Sequence, residues 1–275
     1  MNDSNSNNFS LIPVLPSILT LGNAVCGFAA ITCVLQGEGE ARSYYQAGLF
    51  ILLAMLFDAL DGTVARLTRQ TSAFGAQLDS LCDMVSFGMA PAVFLLYCPQ
   101  PFPLPLLWCI AVCYMACAAM RLARFNISKA DDEGGRWFCG LPTPAAAGVI
   151  ASCMVIWPSV QNLKEQVSLP LQPAAEVGVR ATIVAAPWAV LGLAFLMVST
   201  VRYPHVVKQF RHGKRPILHV AQLMFVLVAI AAFHEYALPL IFLLYAVLSP
   251  LRATATTLRS QLMPFSHLIP FSVEK

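Results

Sequence analysis

Charge is what this sequence has least of: 11% of its 275 residues are Asp, Glu, Lys or Arg, while 58% are hydrophobic. Soluble domains carry about 25% charged and about 45–50% apolar residues. The deficit excludes a water-soluble globule, and with it a soluble nucleic-acid binder, a disordered chain and a disulfide-stapled miniprotein. The mean hydropathy of +0.68 points instead to an integral membrane protein. Lys and Arg are also missing from Met1–Ser10, so the basic n-region of a cleavable signal is lacking and the first apolar run is expected to stay in the membrane. The nine cysteines form no C-x-x-C pair and no zinc-spaced cluster. Most of them (Cys26, Cys33, Cys109, Cys113, Cys117, Cys153) fall inside apolar runs and read as small buried hydrophobes. The five histidines, at 205, 212, 219, 234 and 267, are scattered and read as surface or interfacial residues.

Long apolar runs are what the chain does have. A bilayer-crossing helix needs about 20 apolar residues, and candidates run over 16–35, 45–63, 74–97, 104–123, 142–157, 181–201, 217–233 and 236–253. This predicts an all-α transmembrane bundle of about eight spans, with a six-span core as the smaller alternative. Pro158 and Pro239 mark helix boundaries in this reading. Gly22, Gly27 and Ala29 read as helix-packing positions. The expected organisation is a polar tail over 1–15, a six-span catalytic core over 16–201, a basic loop with two further spans over 202–253, and a tail over 254–275.

Of the 17 basic residues, only Arg42, Lys164 and Arg180 fall in loops on one side of that topology. The positive-inside rule then puts both termini in the cytoplasm. The basic loop 202–218 reads as a topogenic inner loop, or as a patch for anionic lipid headgroups. Loop 158–180 is expected to be the longest outer connection.

Four carboxylates interrupt the second and third apolar runs. Asp58 and Asp61 are spaced i,i+3, and Asp79 and Asp83 i,i+4, which puts each pair on one helical face. The short connection predicts antiparallel packing of the two helices, so that the four groups converge near the cytoplasmic surface. An ionised Asp at the centre of a spanning helix costs about 2.5–3.5 kcal/mol. Nearby cations are few, Arg66 and Arg69. Divalent metal is the economical counter-charge, and hard carboxylate oxygens suit Mg²⁺ or Mn²⁺. Two such ions would neutralise four carboxylates and still attract a phosphate-bearing substrate. Gly62 admits a ligand close to the backbone, Ala65 keeps the same surface small, and Arg66 can reach a phosphate.

Written as a motif, this is Asp58-x-x-Asp61-Gly62-x-x-Ala65-Arg66, eight residues, then Gly75-x-x-x-Asp79-x-x-x-Asp83. It resembles the signature of the CDP-alcohol phosphatidyltransferases at every fixed position. The segments Leu78–Pro91, Arg121–Asn126 and Phe138–Gly148 resemble the phosphatidylserine synthase branch. Pro16, Thr20, Asn23 and Gly27 resemble the family's first span, with Ser17 as a departure from the Asn common there. The resemblance covers 11–148 well and 181–253 loosely, through Arg202-Tyr203-Pro204.

The resemblance implies an enzyme of the inner membrane, facing the cytoplasm, that cleaves CDP-diacylglycerol. It assigns Asp58, Asp61 and Asp79 to metals, and Asp83 to a metal and to proton acceptance. Gly62, Ala65, Arg66, Thr71, Ser72 and Gly75 are assigned to the CDP-diacylglycerol. It also implies a homodimer among membrane lipids. L-serine as acceptor carries a carboxylate that calls for a fixed cation. Arg121 and Arg124 are candidates, with Asn126 adding hydrogen bonds; as an alternative, these arginines are interfacial anchors. A sister transferase acting on glycerol 3-phosphate or inositol phosphate is the nearest alternative. A cation transporter using the same carboxylates is the alternative of another class, but the outer halves of spans two and three hold almost no ionisable group.

Overall fold

The computed structural model describes residues 14–37, 40–68, 72–131, 137–166, 172–200, 202–204 and 239–248. Helix α1 (Val14–Gln36) turns through Gly37 and Glu40 into α2 (Ala41–Leu67). Helix α3 (Ala73–Asp83), a π-helical segment (Met84–Met89) and α4 (Ala90–Tyr97) follow without a break as one 25-residue span. Then come α5 (Leu104–Asp131), strand β1 (Trp137–Cys139), α6 (Thr143–Gln166), α7 (Gln172–Val198) and strand β2 (Arg202–Pro204). A ten-residue apolar helix, α8, covers Pro239–Leu248.

Six of these helical runs are long and apolar enough to cross a membrane, and they coincide with the first six predicted spans. The molecule is a polytopic helical bundle. The predicted seventh span, 217–233, lies outside the described residues, as do all five histidines, most of the basic loop and both tails. Of the eighth, 236–253, the described part is α8, with Pro239 as its first residue.

Apolar side chains point both ways, as lipid on one side and protein on the other require. Ile18, Val25, Phe28, Leu53, Leu56 and Phe195 are exposed, whereas Tyr44, Ile51, Phe87, Tyr114, Met154 and Met197 are fully buried. Lipid is as apolar as leucine, so helix association rests on close packing of small residues rather than on the hydrophobic effect. The buried set is accordingly rich in alanine: Ala30, Ala47, Ala54, Ala118, Ala146, Ala147 and Ala151. One close approach pairs α1 with the π segment, where a β-carbon at Gly27 would stand 2.7 Å from Ser86 Cα.

The π segment has a local cause. Pro91 has no N–H, so the Phe87 carbonyl receives no bond from position i+4; the Tyr114 hydroxyl donates to it at 3.1 Å instead. The Ala90 N–H bonds back to Val85 O in π register.

Three expectations need correction. Pro158 lies inside α6 rather than at its end; spanning helices tolerate proline because neighbours re-satisfy the freed carbonyl. The expected long outer loop 158–180 is mostly helix, since α6 runs to Gln166 and α7 starts at Gln172. Apolar character ends with the bilayer, but the Gln-, Lys- and Glu-containing continuation still favours helix. Helices α2 and α3 do not pack side by side; α1 packs against both and direct backbone contact between them is slight. Their acid-bearing ends still converge, as the carboxylates of Asp58, Asp61 and Asp79 show.

Two strands that hydropathy does not reveal complete the fold. β1 and β2 pair antiparallel with Phe138 opposite Tyr203, tying the α5–α6 connection to the chain beyond α7. Gly140 follows at φ +81°, a conformation open to glycine, and there Leu141 N–H reaches Leu196 O at 2.9 Å.

Gly27→Ala is expected to lower the thermal unfolding midpoint in detergent, with an overpacking cost of about 1–3 kcal/mol. Gly192→Ala, where a β-carbon meets nothing within 4 Å, is expected to leave the midpoint unchanged or raise it. Equal midpoints for the two variants would remove Gly27 from the packing argument.

Candidate active site

Asp58 and Asp61 lie within the last three turns of α2, and Asp79 and Asp83 in the second half of α3. One carboxylate oxygen each from Asp58, Asp61 and Asp79 fall within 4.8 Å of one another. Asp61 is buried, the other two half-buried. Ligands of a Mg²⁺-sized ion, bound at about 2.0–2.1 Å, stand roughly 3–4 Å apart. The spacing and the all-oxygen donor set therefore fit a hard divalent cation.

Asp83 is set one turn further on, 6% exposed. Its Oδ1 accepts a hydrogen bond from Asn23 Nδ2 at 2.9 Å. Asn23 is fully buried in α1, and its own carbonyl accepts from Ser86 Oγ at 2.8 Å. Two hydrogen bonds thus clamp α1 to the helix carrying Asp79 and Asp83, beside the close approach at Gly27. The π segment begins directly after Asp83, a placement common at functional sites.

The remaining motif positions surround this cluster. A β-carbon at Gly62 would meet nothing within 4 Å. Protein packing does not require the glycine, although it costs the helix about 1 kcal/mol relative to alanine; the space beside it is open to a ligand. Ala65 is half-buried and Arg66 exposed in the last turn of α2. Ser72 caps α3, its Oγ accepting from Gly75 N–H at 2.9 Å. Thr71 lies outside the described residues.

The three acceptor candidates separate. Arg121 is half-buried, donates from Nη1 to Thr143 Oγ1 at 3.1 Å, and stacks 5.1 Å above the Phe125 ring. It lies within electrostatic reach of Asp83 and Asp58. Asn126 Nδ2 donates to Ser80 Oγ at 2.8 Å, next to Asp79 in sequence. Arg124 is exposed and donates from Nη1 to Val198 O at 3.3 Å, at the end of α7. Arg121 thus brings one positive charge within reach of the acidic cluster.

Sequence reasoning gave no site role to Asn23, Ser86, Ser80 or Thr143. The available signal was polarity inside otherwise apolar spans, which is costly unless the group has a partner.

Comparison with known proteins agrees with this geometry. Residues 13–177 match the profile of the CDP-alcohol phosphatidyltransferases. The chain is 32% identical over 195 residues to a CDP-diacylglycerol–serine O-phosphatidyltransferase of Bacillus subtilis, covering 70% of this chain and 92% of that protein. It is 32% identical over 208 residues to an archaetidylserine synthase of Methanothermobacter thermautotrophicus, covering 75% of each. A CDP-diacylglycerol–serine O-phosphatidyltransferase of Saccharomyces cerevisiae is 37% identical over 159 residues, 54% of this chain and 56% of the relative.

A hydrogen bond to a buried carboxylate is worth about 1.5–3 kcal/mol net. Asn23→Leu is expected to lower the unfolding midpoint in detergent accordingly, and the loss in the Asn23→Leu, Asp83→Leu double variant to fall short of the sum of the single losses. Simple additivity would mean that the contact carries no coupling.

Proposed function

Because this chain belongs to the CDP-alcohol phosphatidyltransferase family, we propose that it transfers the phosphatidyl group of CDP-diacylglycerol to L-serine, giving phosphatidylserine and CMP. The observation that carries the reading is the acidic site itself: three carboxylate oxygens within 4.8 Å, with Asp83 held one turn beyond them. That two of the relatives are named serine phosphatidyltransferases supports the acceptor.

In this reading Asp58, Asp61 and Asp79, with Asp83, hold two Mg²⁺ or Mn²⁺ ions, which when bound neutralise diphosphate charge and stabilise the leaving CMP. Gly62 and Ala65 leave room for the diphosphate, and Arg66 contacts it. Ser72 and Gly75 line the nucleotide side at the start of α3, and the family resemblance gives Thr71 the same role. Arg121 pairs with the serine carboxylate, Asn126 adds a hydrogen bond, and Arg124 is the second candidate for the same carboxylate.

The chemistry requires in-line approach of the serine hydroxyl to the phosphorus bearing diacylglycerol. A serine hydroxyl is a weak nucleophile at neutral pH, so a base must take its proton during attack. Asp83 does this; Asn23 orients its carboxylate and leaves one oxygen for the proton. The new P–O bond to serine forms as the P–O bond to CMP breaks, and CMP departs with the electron pair. Positioning and electrostatics supply the acceleration. The diacylglycerol tails stay in lipid along exposed apolar helix faces. The enzyme works in the inner membrane with its site facing the cytoplasm, a topology supported by the uneven distribution of Lys and Arg. The family resemblance supports a homodimer, organised as the six-span core over 16–201 with two further spans over 202–253.

Purified protein given CDP-diacylglycerol, labelled L-serine and Mg²⁺ or Mn²⁺ is expected to release CMP and form labelled phosphatidylserine. EDTA is expected to abolish both, and Asp83→Asn to lower the rate by about 10²–10⁴-fold. CMP release only with glycerol 3-phosphate or inositol phosphate would keep the family and overturn the acceptor. No CMP with any alcohol, from folded, metal-supplied protein, would overturn the transferase reading in favour of cation transport.

A further inference from the structure

Two interhelical hydrogen bonds set the height of α5 against the third span. The Tyr114 hydroxyl donates to Phe87 O at 3.1 Å, and Asn126 Nδ2 donates to Ser80 Oγ at 2.8 Å. The two helices run antiparallel, so Arg121, between Tyr114 and Asn126, stands level with Asp83, between Ser80 and Phe87. Its guanidinium lies 5.1 Å over the Phe125 ring and donates from Nη1 to Thr143 Oγ1 at 3.1 Å. Thr143 is fully buried, and backbone contacts fix the chain around it. A β-carbon at Gly140 would collide with Met197 O. Leu141 N–H is bonded to Leu196 O at 2.9 Å, and Ala146 N–H closes the first turn of α6 on Pro142 O at 3.1 Å. The Thr143 hydroxyl is therefore not needed to cap that turn and serves the arginine.

We propose that Thr143 is a positioning residue whose hydroxyl holds the Arg121 guanidinium at the level of Asp83 and thereby sets affinity for the carboxylate of the acceptor alcohol. The inference rests on the serine reading above. An arginine presents five N–H donors in a rigid planar fork, and bidentate capture of a carboxylate needs two parallel donors aimed together. A ring face attracts a cation placed over it but does not fix how the fork turns there. The Thr143 hydroxyl engages one Nη1 donor and fixes that turn. Both orienting groups are uncharged, so neither neutralises the guanidinium. A carboxylate in place of the hydroxyl would hold the fork equally well and cancel the charge that the acceptor needs. Thr143 acts on the acceptor only through Arg121, so its loss loosens acceptor binding and leaves the chemical step alone. Acceptor affinity is thus assigned in part to the corner between β1 and α6, outside the segment that carries the acidic motif.

Steady-state kinetics of the full chain in detergent test this. Thr143→Val keeps the shape and removes the hydroxyl. It is expected to raise the L-serine KM about tenfold, the range of a hydrogen bond to a charged group, with kcat and the CDP-diacylglycerol KM about the same as in the parent. Thr143→Ser restores the hydroxyl and is expected to restore the serine KM. An unchanged serine KM in Thr143→Val, an equal rise in Thr143→Ser, or a rise in both substrates' KM with a fall in kcat would overturn the inference. A second measurement does not depend on serine being the acceptor: unfolding midpoints of Thr143→Val, Arg121→Met and the double variant. Non-additive shifts are expected from the contact, and additive shifts would overturn it. If the parent instead releases CMP only with another alcohol, the serine reading fails by itself and the acceptor role of Thr143 falls with it, while the midpoints still report on the contact.

Discussion

Carboxylates inside an apolar bundle lose their hydration and repel one another, so Asp58, Asp61, Asp79 and Asp83 can stand together only where donors and cations reach them. Asn23 supplies a donor to Asp83 at 2.9 Å, and Arg121 supplies a positive charge in reach of Asp83 and Asp58. The all-oxygen donor set, with three oxygens within 4.8 Å, is the reason for proposing divalent ions there. Much of the tertiary structure follows from holding this site open at one end of a bundle that is otherwise closely packed.

The same constraint accounts for the placement of α1. Helices α2 and α3 bring their acids together with little backbone contact, and α1 packs against both. For its asparagine to meet Asp83, α1 must approach the third span closely, which Gly27 permits at Ser86. Ser86 in turn bonds the Asn23 carbonyl, so the contact that orients Asp83 and the contact that sets the helix separation are adjacent. The π segment beside them is steadied by the Tyr114 hydroxyl on Phe87 O, which compensates for the donor that Pro91 lacks.

Opposite the acids, parts distant in sequence close around Arg121. The β1–β2 ladder fastens the connection before α6 to the chain after α7, and Thr143, which bonds Arg121, opens α6 just beyond it. Helix α8 seats Phe242 against Gly148 of α6. A guanidinium held by Phe125 of its own helix and by Thr143 of α6 is held more firmly than one snorkelling alone to the interface, which supports a binding role for Arg121 over an anchoring one.

Much of this was legible in one dimension. Apolar runs of spanning length located six helices, because a bilayer allows no unpaired backbone and so fixes what such runs must become. The i,i+3 and i,i+4 spacing of the four acids placed each pair on one face, because helical periodicity is local. Proline misled at Pro158, where sequence rules made for helices in water predict an end and the spanning helix continues. The long outer loop was misread because hydropathy marks the edge of the lipid and not the end of the helix. The partners across the bundle were hidden: Asn23 with Asp83 sixty positions away, Asn126 with Ser80, Arg121 with Thr143. By itself the sequence determined the helices, the acidic motif and the kind of ligand that motif calls for, since these depend on neighbours within a turn or two. Only the tertiary structure decided which donor holds which carboxylate and which arginine faces the site, because those contacts depend on how whole helices are rotated and spaced, and in a uniformly apolar span no periodicity records that rotation.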